Sequence, residues 1–385
     1  MAQRSKYTMK DVARLAGVSV TTVSVVINQT HPVSEDRRKK VYAAMEALDY
    51  HPDAIARSLK TGRSRVIGIV VPDVTNAFYP EVVRGIEDAA QRLGYSVLLC
   101  DSNEDPVREQ EHLKTLFSQR VDGILLGCCT DSTAYATLQR RGVPIVFIDR
   151  LPPVAIESSI STDNQQAAIM ATQYLLALGH TRIALLAGHI GLTPHRDRME
   201  GFRKAMQEAS LPIRDEFLVT GQIQIPDGFE ACRDLLRQPV PPTAIMVSNN
   251  KLLLGVLQAF EEEKIRIPDQ VSVLGFDDYI WNRYFNPSIT AVAQQTFAMG
   301  QQGFELLHTM MESKGGAAAA QHVRLTAELR LRSSTAPPAP HATAAQHRTA
   351  TQPEPPTKVP STTKPGIPTP IKTRTKAKTK DLLPA

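Results

Sequence analysis

Residues 8–28, TMKDVARLAGVSVTTVSVVIN, constrain this chain more than any other stretch. The spacing predicts two short helices joined by a tight turn. Thr8 can cap the first, and Asp11, three residues on, can reach back to the capping amide. Val12, Leu15 and Ala16 then fall on one face. Gly17 ends that helix, because glycine accepts positive φ at little cost. Ser19 caps the second helix, whose apolar stripe is Val23, Val26 and Ile27. Its opposite face carries Val20, Thr21, Ser24 and Val25, with small hydroxyls and methyls but no long charges.

Two helices with these faces, joined at a glycine, form the pattern of a helix-turn-helix whose second helix enters the DNA major groove. Thr and Ser can donate to or accept from base edges and phosphates, and Val or Thr methyls can touch a thymine methyl. A capped helical hairpin inside a larger α domain would produce the same spacing.

Charge is unevenly placed. Net charge is +5, yet residues 1–65 hold 12 Lys/Arg against 6 Asp/Glu and residues 333–385 hold 8 against 2. The middle keeps 24 basic and 31 acidic residues. Basic ends on an acidic body place any nucleic-acid contact at the ends. No apolar run spans a bilayer and the N-terminus lacks a secretory h-region, so a cytoplasmic protein is expected, nucleoid-associated when DNA-bound. The cysteines, Cys100, Cys128, Cys129 and Cys232, lack metal or disulfide spacing and read as small buried residues.

Ser34 caps a third predicted helix, whose Val41, Ala44, Met45 and Leu48 would close a small core. A run from Pro52 to Lys60 follows. It contains good helix formers but makes only two turns, and isolated helices shorter than about 12–15 residues are marginal in water. It should be ordered only when something packs on it.

The string KDVARLAGVSVTTVSVVIN, followed by HPDAIARSL at 51–59, resembles the DNA-binding headpiece of the lactose-repressor family of bacterial transcription regulators. The likeness runs on to about Arg332. It implies that 52–65 is a hinge helix and linker pairing with its twin in a dimer, and that Leu59 wedges into the minor groove. Such wedging unstacks a base step and kinks the duplex. DNA contacts are then expected from Thr8, Met9, Ser19, Val20, Thr21, Thr22, Ser24, Val25, Asn28, Ala56, Leu59 and Lys60. Val25 departs from the family, many of whose members carry a long polar side chain there.

From Val66 the pattern alternates between strand-like and helix-like runs. Strands are expected at 66–71, 96–100, 123–127 and 144–149, and again at 183–187, 217–220, 244–248 and 271–276. Helices are expected at 78–93, 107–119 and 133–141, then at 165–178, 196–209, 228–237, 252–263 and 296–311. Such alternation gives doubly wound parallel sheets. Two α/β lobes in series resemble a periplasmic-binding-protein core, with crossovers near Thr162, Ala291 and His322. The expected class is α plus α/β. A helix-turn-helix headpiece (1–51) and hinge (52–65) precede a two-lobed core (66–332). Lobe one takes 66–161 and 292–321, and lobe two takes 162–291 and 322–332. Residues 333–385, rich in Pro, Thr and Lys and without periodicity, read as a disordered basic tail.

Ligands on such sheets sit beyond the carboxyl ends of the strands. That points to Asp73, Asn76, Phe78, Tyr79 and Arg150 in lobe one, and to Arg198, Asn249, Asn250, Asp277 and Trp281 in lobe two. Asp, Asn and Arg can hold hydroxyls, and aromatic rings can stack on a sugar face. The resemblance singles out Asp277 and Arg198 as effector contacts. Asn250 departs from the commoner Asp. No catalytic set, cofactor or metal site is expected.

The reading is a sequence-specific DNA-binding regulator, by family default a repressor, controlled by a sugar, sugar acid or polyol. Its partners would be pseudo-palindromic operator DNA and a second copy of itself, with a tetramer also open. The alternative is a cytoplasmic solute-binding sensor whose N-terminal helices meet a partner other than DNA. Leu59→Ala should weaken operator binding much more than binding to unrelated DNA. Equal losses in an anisotropy titration would reject the wedge.

Overall fold

The computed structural model describes residues 7–28, 31–50, 63–129, 135–152, 158–313 and 319–339. The run 52–60, with Ala56, Leu59 and Lys60, lies outside them, as does the side chain of Asn28.

The headpiece forms as its spacing dictates. Helix α1 (Met9–Ala16) opens at Thr8, whose amide donates to the Asp11 carboxylate at 2.9 Å. Gly17 closes it at φ +63°. Helix α2 (Val20–Asn28) starts at Ser19, whose Oγ accepts from the Thr22 amide at 3.0 Å. Helix α3 (Glu35–Ala47) packs across both, and Val12, Ala13, Ala16, Val23, Val26, Val41, Ala44 and Tyr50 form the core. One expectation needs correcting. Leu15 is 55% exposed and Ala13 takes its place inside, because the inward arc of this two-turn helix is centred on Val12 and Ala16.

The core begins with β1 (Val66–Val71), α4 (Phe78–Arg92), β2 (Ser96–Asp101), α5 (Pro106–Ser118), β3 (Gly123–Leu126), α6 (Tyr135–Arg140), β4 (Ile145–Ile148) and β5 (Ser158–Thr162). It continues with α7 (Asn164–Ala177), β6 (Ile183–Gly188), α8 (Thr193–Glu208), β7 (Leu218–Thr220), α9 (Ile225–Leu236), β8 (Ala244–Val247), α10 (Asn250–Glu262) and β9 (Ser272–Phe276). The last elements are β10 (Thr290–Ala293), α11 (Thr296–Glu312), β11 (Gln321–Leu325) and β12 (Glu328–Arg330). Two six-stranded sheets result, ordered β11-β5-β4-β3-β1-β2 and β12-β10-β9-β8-β6-β7. All described pairings are parallel except β10 with β12. Runs such as VIGIVV, GILL and IVFI are apolar throughout because helices cover both faces.

Each lobe gains two strands over the four expected. These are β5 and β11 in lobe one, and β10 and β12 in lobe two. Ser-rich β5 (SSIST) and the short, polar β11 and β12 lack a strand-like apolar run. The pairings also move two crossovers. Ala291 lies within lobe two, so the second crossing is at Gln294–Gln295, and His322 lies within lobe one, so the third is at Thr326–Ala327.

The tail boundary moves too. Residues 333–339 are packed on lobe two, where buried Ser334 donates to the Val273 carbonyl at 2.6 Å and accepts from the Thr290 amide at 2.8 Å. The Ala336 carbonyl meets His180 Nε2 at 2.9 Å. The compact unit ends at Ala339.

Helices α4 and α11 meet backbone to backbone on lobe one. A Cβ on Gly300 would lie 2.0 Å from the Val82 carbonyl oxygen, and one on Gly85 would lie 2.1 Å from that of Phe297. Neither obstacle is a flexible side chain. Gly300→Ala should therefore cost about 1–3 kcal/mol of stability through overpacking, read by chemical denaturation; an unchanged midpoint would show that the helices can part freely.

Candidate functional site: a cleft between the lobes

The carboxyl ends of both sheets converge on one cleft. Among its lining residues are Asn76, Phe78, Tyr79, Asp149 and Arg150 from lobe one. Pro194, His195, Arg198, Asn249 and Asp277 come from lobe two, and Gln294 from the crossover. The cleft is narrow, with about 30 Å³ open to water-sized molecules.

Two aspartates occupy matching places. Asp149 follows β4 and Asp277 follows β9, the corresponding strand of the second sheet. Both have left-handed backbones, at φ +64° and +73°. Each donates its amide at 2.9 Å to the neighbouring strand, Asp149 to Ile160 and Asp277 to Val292. Non-glycine residues at positive φ are uncommon outside Asn and Asp, and such strain persists where the surroundings impose it. The left-handed turn keeps both carboxylates at the cleft.

The charges are buried and partnered. Burial pushes the Asp149 carboxyl above its ordinary range, while Arg150, Arg198 and the Tyr79 hydroxyl, which donates at 3.0 Å, pull it back in part. Burial likewise raises Asp277, opposed by Arg198 and by Gln294, whose Nε2 donates at 2.5 Å. Burial lowers the Arg198 guanidinium against the pull of Asp277 and Asp149. Arg198 is fixed by Nε donating to Asn164 Oδ1 at 2.8 Å, by Nη1 to the Ser248 carbonyl, and by the Phe276 ring 4.2 Å away. Burial also disfavours charge on Arg150, yet Tyr79, Glu104 and Asp149 outweigh it and hold the guanidinium charged. A positioned set of carboxylates, guanidiniums and amides can grip a small polyhydroxy ligand.

Of the residues expected in the cleft, Asn76, Phe78, Tyr79, Arg150, Arg198, Asn249 and Asp277 line it. Asn249 also caps α10, accepting from the Leu252 amide at 2.9 Å. Three others sit elsewhere. Asp73 pairs with Lys251 across the lobes; Lys251 and Thr75 hold its carboxyl below the ordinary range despite burial. Asn250 donates to Asn76 Oδ1 across the lobes at 3.1 Å. Trp281 stacks on Tyr279 at 4.7 Å and is not among the lining residues. Sequence reasoning missed Asp149, His195, Pro194 and Gln294. The matched endings FID and GFD were a usable signal for Asp149; His195 and Gln294 had none.

In the headpiece, Thr8, Met9, Ser19, Val20 and Thr21 are exposed, and Thr22, Ser24 and Val25 are half-buried. Thr22 Oγ1 lies 2.9 Å from Ser19 Oγ. The small-residue face of α2 is thus presented outward. Among the described residues no group of His, Cys, Asp or Glu could hold a metal ion, and no helix is long and apolar enough to cross a membrane.

Comparison with known proteins decides the family. The pattern of bacterial regulatory proteins of the lacI family matches residues 8–53, and that of a periplasmic binding protein-like domain matches 172–335. The ribose operon repressor of Escherichia coli (strain K12) is 41% identical over 302 residues, which are 78% of this chain and 92% of that protein. The chain belongs to the lacI family of bacterial regulatory proteins. It is a DNA-binding transcriptional repressor with an effector-binding core, and not an enzyme. Among solved structures, the lac repressor dimer bound to operator and the anti-inducer ONPF matches with a TM-score of 0.75 at 28% identity, over 86% of this chain and 99% of that one. A lacI-family regulator from Enterococcus faecium with bound ribose matches with a TM-score of 0.62 at 27% identity, over 71% and 99%.

The buried imidazole of His195 makes a pH test. Burial first, then Arg198 and Arg150, hold it well below the ordinary value of 6.5, and its Nδ1 lies 3.1 Å from Ser248 Oγ. Below pH 6.5 the unfolded chain takes a proton that the folded one refuses, so this residue's contribution falls with pH, by at most about 1.4 kcal/mol per unit. Urea unfolding of wild type and His195→Gln should therefore converge or cross as pH drops from 7.5 to 5. A constant gap would show that His195 titrates normally.

Proposed function

We propose that this repressor acts as a homodimer on a pseudo-palindromic operator and responds to a pentose, D-ribose being the first candidate. The observation that carries the reading is the convergence of Asp149, Arg150, Arg198, Asp277 and Gln294 on one small cleft at the carboxyl ends of both sheets. Carboxylates and guanidiniums at close quarters suit vicinal hydroxyls, each of which both donates and accepts. The likeness to a ribose operon repressor, and to a family member holding ribose, narrows the class.

Dimerisation has support in the surface. The edge strand β2 exposes Leu98 and Leu99, and lobe two exposes Ile280 and Tyr284. Open edges and apolar patches of this sort mark protein contacts.

The mechanism follows from three physical facts. The cleft is narrow and bridged from lobe to lobe by Asp73 with Lys251 and by Asn76 with Asn250, so a sugar enters as the lobes part. Parting them breaks the Asp73–Lys251 pair and the Asn76–Asn250 hydrogen bond. The chain leaving the headpiece is fastened to lobe one: Arg63 pairs with Glu312, and the Ser64 and Arg65 amides donate to the Asp122 carboxylate at 2.7 and 3.0 Å. Lobe movement thereby shifts Arg63, Ser64 and Arg65, through which the headpiece is carried on lobe one. Differential binding of a few kcal/mol suffices to move such an equilibrium.

Titration calorimetry with D-ribose, a sugar acid and a purine base tests the reading. D-ribose should bind and should change operator affinity. Arg198→Ala or Asp277→Ala should abolish that response while effector-free operator binding persists. Ribose that gives no heat, or a normal response in either variant, would overturn the assignment.

A further inference from the structure

We infer that Glu104, outside the cleft lining, is a positioning residue for effector binding, holding Arg150 in the one orientation that presents its remaining donors to the cleft. The inference rests on the effector reading above and adds a residue that the reading does not need.

The geometry is specific. The Glu104 carboxylate accepts from both ends of the Arg150 fork, Oε2 from Nη1 at 2.6 Å and Oε1 from Nη2 at 2.8 Å. This is the paired arrangement that gives orientation as well as energy. The Arg150 side chain is 5% exposed and that of Glu104 27%, so the pair lies where solvent screens it weakly. A guanidinium has five N–H donors in a fixed plane. Glu104 takes one from each terminal nitrogen, and fixing the fork at that edge fixes the direction of the rest. The Asp149 carboxylate is 4.0 Å from Nε on the other side. The two carboxylates therefore bracket one cation, one in the cleft wall and one behind it.

The loop that delivers Glu104 is held in a costly shape. Asn103 and Glu104 have φ of +50° and +59°, and the Asp105 amide donates to the Ser102 carbonyl at 3.0 Å. Two successive positive φ values closed by that hydrogen bond match a type I′ turn, which favours Asn then Gly. Here the glycine position carries Glu, for which the left-handed region is unfavourable. The turn is pinned from below: the Ser102 amide and Oγ donate to the Val71 carbonyl, and the Glu104 amide donates to that of Pro72 at 2.7 Å. Asp105 then caps α5 through the Val107 amide at 2.8 Å. A glycine would relieve the backbone but remove the carboxylate. Strain of this kind, imposed by its surroundings, gathers at functional sites.

The test uses the full chain and D-ribose. Glu104→Gln keeps the shape and one acceptor but loses the charge and the second acceptor. It should weaken ribose binding about tenfold by calorimetry, while the chain stays folded at the assay temperature and keeps its wild-type operator affinity without sugar. In an Arg150→Met background the same change should leave ribose affinity as it is, because the residue acts only through Arg150. A role confined to stability would move the thermal midpoint in both backgrounds and spare the affinity. Wild-type ribose affinity in Glu104→Gln, with wild type binding ribose, overturns this inference alone. Absence of binding by wild type overturns the effector reading and this inference with it.

Discussion

The cleft depends on charges that none of its residues could hold alone. Asp149, Arg150, Arg198 and Asp277 are each at least nine-tenths buried, and taking an ion out of water costs several kcal/mol unless it is paired and hydrogen-bonded. Each lobe brings an aspartate and an arginine to the meeting place. Removing one member would leave its partners as uncompensated buried charge, which is far more costly than a lost contact. The interlobe surface is thus cohesive by mutual neutralisation, and a ligand that supplies hydroxyls can substitute for part of it.

The two lobes solve one problem twice. Parallel strands end on the same side, so both sheets present carboxyl ends to the cleft, and β4 and β9 each finish in a left-handed aspartate. The matching hydrogen bonds, from Asp149 to β5 and from Asp277 to β10, show that the repeat extends to the backbone. What differs is the packing behind the arginines. Arg150 is braced by a carboxylate from a strained turn, and Arg198 by an amide, a carbonyl and an aromatic face. One lobe thus holds its cation by charge and the other by shape.

Much of this was legible in the residues and some was not. The headpiece could be read almost helix by helix, because Thr8, Gly17 and Ser19 are local signals that act within a few residues. The apolar strands were readable for the same reason. The strands β5, β11 and β12 were not, since Ser-rich or short polar segments become strands only when a neighbouring edge offers hydrogen bonds. The crossovers shifted with them. In the cleft, several residues that follow strands were legible, but Asp149 was read as the end of its strand, Trp281 stacks on Tyr279 and Asp73 serves a lobe-to-lobe ion pair. A turn's neighbours in sequence do not reveal which way its side chains face. His195 and Gln294 reach the site through a helix and a crossover, whose placement depends on the whole assembly.

The contacts that bridge the lobes across the cleft have a kinetic meaning. Capture of a small molecule by an open cleft is limited by diffusion and orientation. In the mechanism proposed above, entry waits on an excursion that undoes a lysine–aspartate pair and an amide–amide contact, so the frequency of that excursion, and not effector concentration alone, sets how quickly the repressor responds. The contacts that bridge the lobes, Asp73 with Lys251 and Asn250 with Asn76, would then act as a timer, adjustable at Asp73, Asn250 or Lys251 without altering the groups that line the cleft.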